Sequence, residues 1–322
     1  MTLTVSEPTP LVSVEGVLAK VEWVHPTGSI KDRIAQYILS RSEAEGLLKP
    51  GMRIVEATSG NTGIALAYHG RKMGYPVTII MPEHMSAERI EIMRALGTDL
   101  ILCSQEGGFA EAAQIRDSMA ASDSNLFNPD QFSNPLNVEC HRTTTGQELI
   151  RQAGVKIDAF VAGVGTGGTL MGIGQALREV WPDVHIVAVE PTEAAVMTGG
   201  DNGSHSIFGI GDGFIPNIVA NCSGDLTDFI DDVIVISSAE ALEAAKWLHE
   251  EHQLGVGTSS GANFLAAKLL QARYPVVATV FADGAFKYRS CGLRVCLPGE
   301  CRFPQRCETS ILPTLDVACN KV

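Results

Sequence analysis

Ala159-Phe160-Val161-Ala162-Gly163-Val164-Gly165-Thr166-Gly167-Gly168-Thr169 decides the fold. An apolar run of strand length enters a glycine loop, and a helical pattern over 169–181 begins where the loop ends. A strand, glycine loop and helix in this order aim backbone N–H groups at one point beside the positive end of a helix dipole, where an anion is favoured. Thr166 and Thr169 add hydroxyl donors. The segment also satisfies G-x-G-x-x-G, and Glu190 ends the next strand about twenty residues on, where a dinucleotide fold wants an acid. A nicotinamide dinucleotide and a phosphate-ester cofactor therefore both remain open at this loop.

The same unit repeats outward in both directions. Strand-like runs occur at Leu18–Trp23, Arg53–Glu56, Val77–Met81, Asp99–Cys103, Ala159–Ala162, His185–Glu190, Val233–Ile236 and Val276–Phe281. Helical stretches lie between them near 31–46, 61–74, 86–96, 109–122, 143–153, 169–181, 238–252 and 261–273. Ile30, Ile34, Tyr37 and Ile38 fall on one helical face. Such alternation predicts an α/β protein with mostly parallel twisted sheets flanked by helices. The Asn128–Pro135 loop divides two such sets, which predicts two domains with a cleft between them. The expected smaller N-terminal domain covers 25–135, the larger one 1–24 and 136–290, and residues 291–322 form an irregular cysteine-rich tail.

The chain of 322 residues is long enough for that core, and its net charge of −13 argues against nucleic acid or an anionic membrane as partner. Apolar runs such as Val77-Thr78-Ile79-Ile80-Met81 are too short to span a bilayer. The first ten residues carry an acid, two prolines and no basic side chain, unlike a signal or transit peptide, so cytoplasm is the expected location. Five of the eight cysteines, Cys291, Cys296, Cys301, Cys307 and Cys319, crowd the tail. Their gaps lack the paired C-x₂-C spacing of structural zinc sites, and no metal is expected.

Two further segments carry chemistry. His25-Pro26-Thr27-Gly28-Ser29-Ile30-Lys31-Asp32 sets one lysine on the first turn of a helix after a Pro/Gly loop. Glu56-Ala57-Thr58-Ser59-Gly60-Asn61-Thr62-Gly63 opens the next helix with hydroxyls and an amide. A lysine held beside such loops suits Schiff-base chemistry with an aldehyde cofactor bearing a phosphate. Gly257-Thr258-Ser259-Ser260-Gly261 matches the G-x-S-x-G nucleophile elbow. That class of hydrolase needs a histidine after the serine, and every histidine here precedes residue 253. Ser259 is thereby left for another role. A nicotinamide enzyme has no use for the lysine and Ser59–Gly63 segments, whereas a pyridoxal phosphate enzyme uses each piece.

These segments resemble the β-replacement branch of fold-type II pyridoxal phosphate enzymes, the cysteine synthase (O-acetylserine sulfhydrylase) and cystathionine β-synthase family. The likeness runs from about Thr9 to about Tyr288. Pro26–Arg33, Thr58–Gly63, Gly165–Thr169, Gly209-Ile210-Gly211-Asp212-Gly213-Phe214 and Ser259-Ser260-Gly261-Ala262 carry it. The resemblance implies pyridoxal 5'-phosphate in the interdomain cleft, bound mainly by the larger domain. Lys31 would be the Schiff-base lysine and the proton carrier at Cα. Asn61 would bond the ring hydroxyl, Gly165, Thr166, Gly167, Gly168 and Thr169 would hold the phosphate, and Ser259 would meet the ring nitrogen. Thr58, Ser59, Gly60, Thr62 and Gln131 would bind the substrate carboxylate, with Gly211 close to the substrate.

The implied reaction is O-acetylserine plus sulfide giving cysteine plus acetate through an aminoacrylate, on small-molecule substrates, in a homodimer. O-phosphoserine, homocysteine, a second amino acid or cyanide are alternative donors or acceptors. A nicotinamide-dependent oxidoreductase is the reading from another class. Asp212 stands where cysteine synthases often carry alanine, and an anion there would repel a phosphate ester. The segment between Val12 and Lys20 is shorter than the family usually has, and the tail is foreign to the pattern.

Overall fold

The computed structural model describes residues 8–58, 60–83, 87–293 and 302–303. In chain order the elements are β1 (Leu11–Val14), β2 (Val17–Val21), α1 (Lys31–Ala44), β3 (Arg53–Ala57), α2 (Asn61–Lys72), β4 (Val77–Pro82), α3 (Ala87–Ala95), β5 (Asp99–Cys103), α4 (Gly108–Ser122) and β6 (Leu126–Phe127). Then follow α5 (Pro135–Thr143), α6 (Thr145–Ala153), β7 (Ala159–Gly163), α7 (Gly168–Val180), β8 (His185–Pro191), β9 (Asp232–Ile236), α8 (Ser238–His252), α9 (Thr258–Leu270) and β10 (Val277–Phe281). The described chain divides into two compact units, one holding residues 26–136 and the other holding residues 8–25 and 137–293.

In the smaller unit the sheet order is β5-β4-β3-β6, and every pairing is parallel. A parallel sheet is covered on both faces, so alternate residues of β3 bury in opposite directions. Ile54 packs with Leu39, Ile64 and Ile79. Val55 and Ala57 pack with Ile80, Cys103 and Ala112 of α4. Glu56 interrupts this apolar strand and is fully buried.

The larger unit has a six-stranded sheet in the order β1-β2-β10-β7-β8-β9. Its pairings are parallel except β1 with β2. That one exception leaves the sheet mostly parallel, as expected. Val14 pairs with Val17 across a two-residue turn in which Glu15 and Gly16 both have positive φ, the twist that closes a tight hairpin. β1 and β6 are too short to show periodicity in the sequence. Helix α5 corrects the Asn128–Pro135 loop at its far end. Asn134 accepts the Leu136 N–H through its side chain at 3.0 Å, and Pro135 takes the first turn, where a missing N–H costs nothing. The expected irregular tail lies outside the described residues apart from Cys291–Leu293, Arg302 and Phe303. Among the described residues no helix is long and apolar enough to cross a membrane.

Candidate active site

Both sheets reverse strand order once, and an open α/β sheet binds its ligand beyond the C-terminal strand ends at such a reversal. In the smaller unit the reversal falls between β3 and β6. The segments leaving those strands carry Thr58, Gly60, Asn61 and Thr62 on one side and Gln131 on the other. In the larger unit it falls between β7 and β10, and Gly163–Gly168 leaves β7 there. Topology alone thus selects two of the loops that the motifs single out.

Lys31 is the first residue of α1, after a loop that Gly28 turns with φ 72°. The loop is fixed by Asp32, whose buried carboxylate accepts the Thr27 N–H at 3.1 Å and the Thr27 hydroxyl at 2.6 Å. His69, in the last turn of α2, stands 2.9 Å from the other Asp32 oxygen. A carboxylate in the first turn of a helix also faces the positive end of its dipole. The Lys31 backbone is therefore held by its neighbour and by the α2 helix.

Thr58 follows β3 and is tied to β4 by its N–H to the Ile80 carbonyl at 3.0 Å. Its hydroxyl accepts the Gly60 N–H at 3.4 Å. Asn61 opens α2, and the Thr62 hydroxyl donates to the Gln131 side-chain oxygen at 2.6 Å. Thr62 and Gln131, 69 residues apart, are brought together in this way. Ser59 lies outside the described residues. A Cβ on Gly60 would stand 3.3 Å from the guanidinium carbon of Arg89, so the loop lies directly under a buried arginine.

Glu56 connects the pieces. One carboxylate oxygen accepts the Ala57 N–H at 3.0 Å and an Arg116 N–H at 3.1 Å. The other accepts the Gln131 N–H at 3.2 Å. Burial pushes its pKa up from 4.5 to about 7, against the lowering pull of Arg116 and the two backbone N–H groups. Arg116 also reaches Asp117 at 2.8 Å and Asp130 at 3.6 Å. The sequence motifs assign Glu56 no role, although a charge between Val55 and Ala57 in a core strand is itself a signal.

In the larger unit Gly165–Thr169 bridges β7 and α7. Among the described residues, the buried N–H groups of Gly165, Thr166 and Gly167 donate to no protein acceptor. Buried amides are otherwise almost always paired, and three together at a helix N-terminus suit the oxygens of a phosphate. The Thr166 hydroxyl is held by Asn137 Nδ2 at 3.0 Å, and Thr169 Oγ1 lies 3.4 Å from His141 Nε2. Glycine is required sterically, since a Cβ on Gly165 would lie 2.3 Å from the Gly209 carbonyl and one on Gly168 2.0 Å from Asn137 Oδ1.

Gly211 and Ser259 belong to the same constellation. The Gly211 N–H donates to the Val164 carbonyl at 2.9 Å, pinning the 209–213 turn to the loop. His205 Nε2 lies 2.8 Å from the Gly211 carbonyl while Nδ1 accepts the Ile207 N–H, which puts the ring proton on Nε2. Ser259 is buried in the first turn of α9, and among the described residues its hydroxyl has no hydrogen-bond partner. Four residues on, on the same helical face, Asn263 accepts the Gly163 N–H at 2.8 Å and donates to the Val280 carbonyl at 2.8 Å. Thr258 accepts the Phe208 N–H and donates to the Ser206 carbonyl.

Glu190 is committed elsewhere. One of its oxygens takes the Thr198 N–H and hydroxyl, and the other takes the Met197 N–H. The acid that a dinucleotide would use for ribose instead caps a short turn. Within the larger unit the amides of residues 165–167 form a cradle suited to one phosphate, and within the smaller unit Lys31 opens a helix and the Thr58–Thr62 loop meets Gln131.

The comparisons agree. The profile of the pyridoxal-phosphate dependent enzyme family matches residues 3–281, and the chain belongs to that family. A cysteine synthase from Staphylococcus aureus is 40% identical over 272 residues, 80% of this chain and 84% of that protein. An O-acetylserine dependent cystathionine β-synthase from Helicobacter pylori superposes with a TM-score of 0.84 at 34% identity, covering 92% of this chain and 100% of that one. A hydrogen sulfide-producing enzyme from Fusobacterium nucleatum gives 0.83 at 38%, covering 90% and 89%. A variant of a hydrogen sulfide-producing enzyme has been solved with an α-aminoacrylate intermediate. The chain is a pyridoxal phosphate-dependent enzyme of β-replacement, acting on small molecules, and the oxidoreductase alternative falls away.

Proposed function

We propose that the enzyme converts O-acetylserine and sulfide to cysteine and acetate, as a homodimer in the cytoplasm. The buried amides of Gly165, Thr166 and Gly167 at the N-terminus of α7, which have no protein acceptor among the described residues, are the observation that carries the reading. They fit the phosphate of the cofactor, with Thr166 and Thr169 beside them. Lys31 would hold the cofactor covalently, Asn61 would bond its ring hydroxyl and Ser259 would offer a neutral hydroxyl to its ring nitrogen. When bound, the cofactor supplies an electron sink that acidifies the substrate Cα–H and lets the β-substituent leave.

The protein's own groups do the rest. Thr58, Ser59, Gly60, Thr62 and Gln131 grip the substrate carboxylate, which turns the Cα–H toward one face. Lys31 would take that proton from Cα and return it there after sulfide has added at Cβ. Acetate departs as an anion past the Gly211 turn. A serine beside the ring nitrogen keeps the sink modest, which favours elimination of a good leaving group over transamination.

The test is the visible spectrum of the purified protein. The expected result is a yellow protein whose band shifts with O-acetylserine and returns with sulfide, and Lys31→Ala loses both changes. A protein that stays colourless with added pyridoxal phosphate would refute the proposal. Asp212, exposed in the turn between Gly211 and Gly213, predicts faster turnover of O-acetylserine than of O-phosphoserine. Comparing kcat/KM for the two donors checks this, and a preference for the phosphate ester removes the role given to Asp212.

Asp212 also favours a second reading, given a relative named for hydrogen sulfide production. Cysteine would lose sulfide and water would add at Cβ, giving serine, with Asp212 accepting the proton of the water. Sulfide released from cysteine alone, and its loss in Asp212→Asn, would mark this route.

A further inference from the structure

Gln131 sits in an uncomfortable piece of backbone. The preceding residue, Asp130, has φ 47°, a left-handed conformation that is uncommon outside glycine and that aspartate adopts at modest cost. Contacts of the neighbouring residues hold it there. The Gln131 N–H is bound to Glu56, and Asp130 lies 3.6 Å from Arg116, which is itself bound to Glu56. Gln131 in turn receives the Thr62 hydroxyl. The chain of contacts therefore starts at a buried carboxylate on β3 and ends at two groups assigned to the substrate carboxylate.

We infer that Glu56 is a positioning residue that sets Gln131 and Thr62 for the substrate carboxylate, and that proton uptake by Glu56 loosens this grip. The inference rests on the role given above to Gln131. In the ionised form both Glu56 oxygens are acceptors, and they meet three N–H groups from Ala57, Arg116 and Gln131. Protonation turns one oxygen into a donor where the surroundings offer it only other donors. The Gln131 N–H lies alone on its oxygen, whereas the other oxygen is shared with the charged Arg116, so the proton goes to the Gln131 side. The bond that fixes the strained turn is then lost.

The charged groups facing Glu56 are Arg116 from α4, and through it Asp117 and Asp130. Arg116 favours the ionised form, and burial opposes it more strongly. The balance point of about 7 places the switch near neutral pH.

The experiment measures kcat and KM for O-acetylserine between about pH 6 and about pH 8.5 in the holoenzyme, for wild type, Glu56→Gln and Arg116→Gln. The substrate's own ionisation contributes equally to all three and cancels in their ratios. The expected result is a KM about tenfold higher on the acid side in wild type, with kcat moving far less, as for loss of one hydrogen bond to a charged group. Glu56→Gln, a neutral isostere, has the high KM throughout and no inflection of its own. Arg116→Gln moves the inflection to higher pH and so decides the matter if Glu56→Gln does not fold. A Glu56→Gln enzyme that keeps the wild-type pH profile of KM, or an inflection that ignores Arg116, overturns the inference.

Cofactor-free protein gives an independent readout. The difference infrared spectrum of wild type against Glu56→Gln shows an acid carbonyl band on the low-pH side, and the Gln131 amide proton shifts with the same midpoint. Those two signals keep failure of Glu56 distinct from failure of the enzyme reading, which the visible spectrum decides. An amide proton that does not follow the carboxyl refutes the coupling.

Discussion

At the scale of single residues the site depends on atoms that leave no room. Gly168→Ala would place a Cβ 2.0 Å from Asn137 Oδ1, so Asn137 has to turn away and give up its bond to the Thr166 hydroxyl. We expect an over-packing cost of about 1–3 kcal/mol and at least about tenfold weaker pyridoxal phosphate binding, read by fluorescence titration. Gly154→Ala is the control. It has φ 65° but open space around its Cβ, so it should cost only about 1 kcal/mol of stability and leave cofactor affinity alone. Equal cofactor loss in both variants would mean that the cradle has no special packing. Glu56 makes a separate prediction about stability. Its folded pKa is raised from 4.5 to about 7, so the folded state holds a proton that the unfolded chain has released. Stability from this group is complete below about pH 4.5 and is lost as pH rises to about 7, by about 3 kcal/mol. Urea unfolding across that window should show this slope in wild type and not in Glu56→Gln; parallel curves would remove the raised pKa.

At the scale of elements, helix caps show how locally some of the fold is written. Ser237 and Glu240 form a reciprocal capping box at the start of α8, with the Ser237 hydroxyl also bonded to Glu240 at 2.5 Å. Ser237→Ala should cost about 1 kcal/mol and leave KM for O-acetylserine unchanged, as chemical denaturation and kinetics would report. A shifted KM would join α8 to the site. The core strands were legible for the same reason as α8, because their apolar runs, such as Val77–Met81, lie between clear loop signals. The β1 hairpin was not, since its Glu15-Gly16 turn lacks the usual Asn-Gly or Asp-Gly signature and Glu15 must itself adopt positive φ. Helix α5 was hidden because Asn134-Pro135 reads as a loop when taken alone and as a helix start only once Leu136 is seen to use the asparagine oxygen. The loop of residues 165–169 was legible as an anion site from glycine spacing. Its tie to Asn137, and the tie of Gly163 just before it to Asn263, were not, because those partners come from other parts of the chain and only folding brings them there.

At the scale of the molecule, the larger unit is assembled from two separated stretches of chain, and something has to hold the first of them. Hydrophobic packing of Val12, Val14, Val17, Ala19 and Val21 supplies most of the burial. It is not specific in register, because β2 slides by two residues without changing which face is apolar. The polar contacts supply the register. Lys20 is fully buried in β2, and its ammonium reaches Glu148 of α6 at 2.8 Å, Gln152 at 2.7 Å and the Thr9 carbonyl. Glu148 also accepts the Thr9 N–H at 3.2 Å, and the Thr9 hydroxyl donates to buried Glu22 at 2.7 Å, which His25 meets at 2.9 Å. A buried pair of this kind is worth little relative to apolar residues of the same size, yet breaking it leaves an uncompensated charge in the core. Lys20→Met should therefore destabilise the protein by about 3–5 kcal/mol, while Lys20→Met combined with Glu148→Leu should recover more than half of that. The two urea midpoints measure the difference directly. If the double variant is as unstable as the single one, the network acts through hydrogen bonds to Thr9 and not through the charge of Glu148. If Lys20→Met costs nothing, apolar packing alone fixes the register of β2, and the buried lysine has no part in closing the unit.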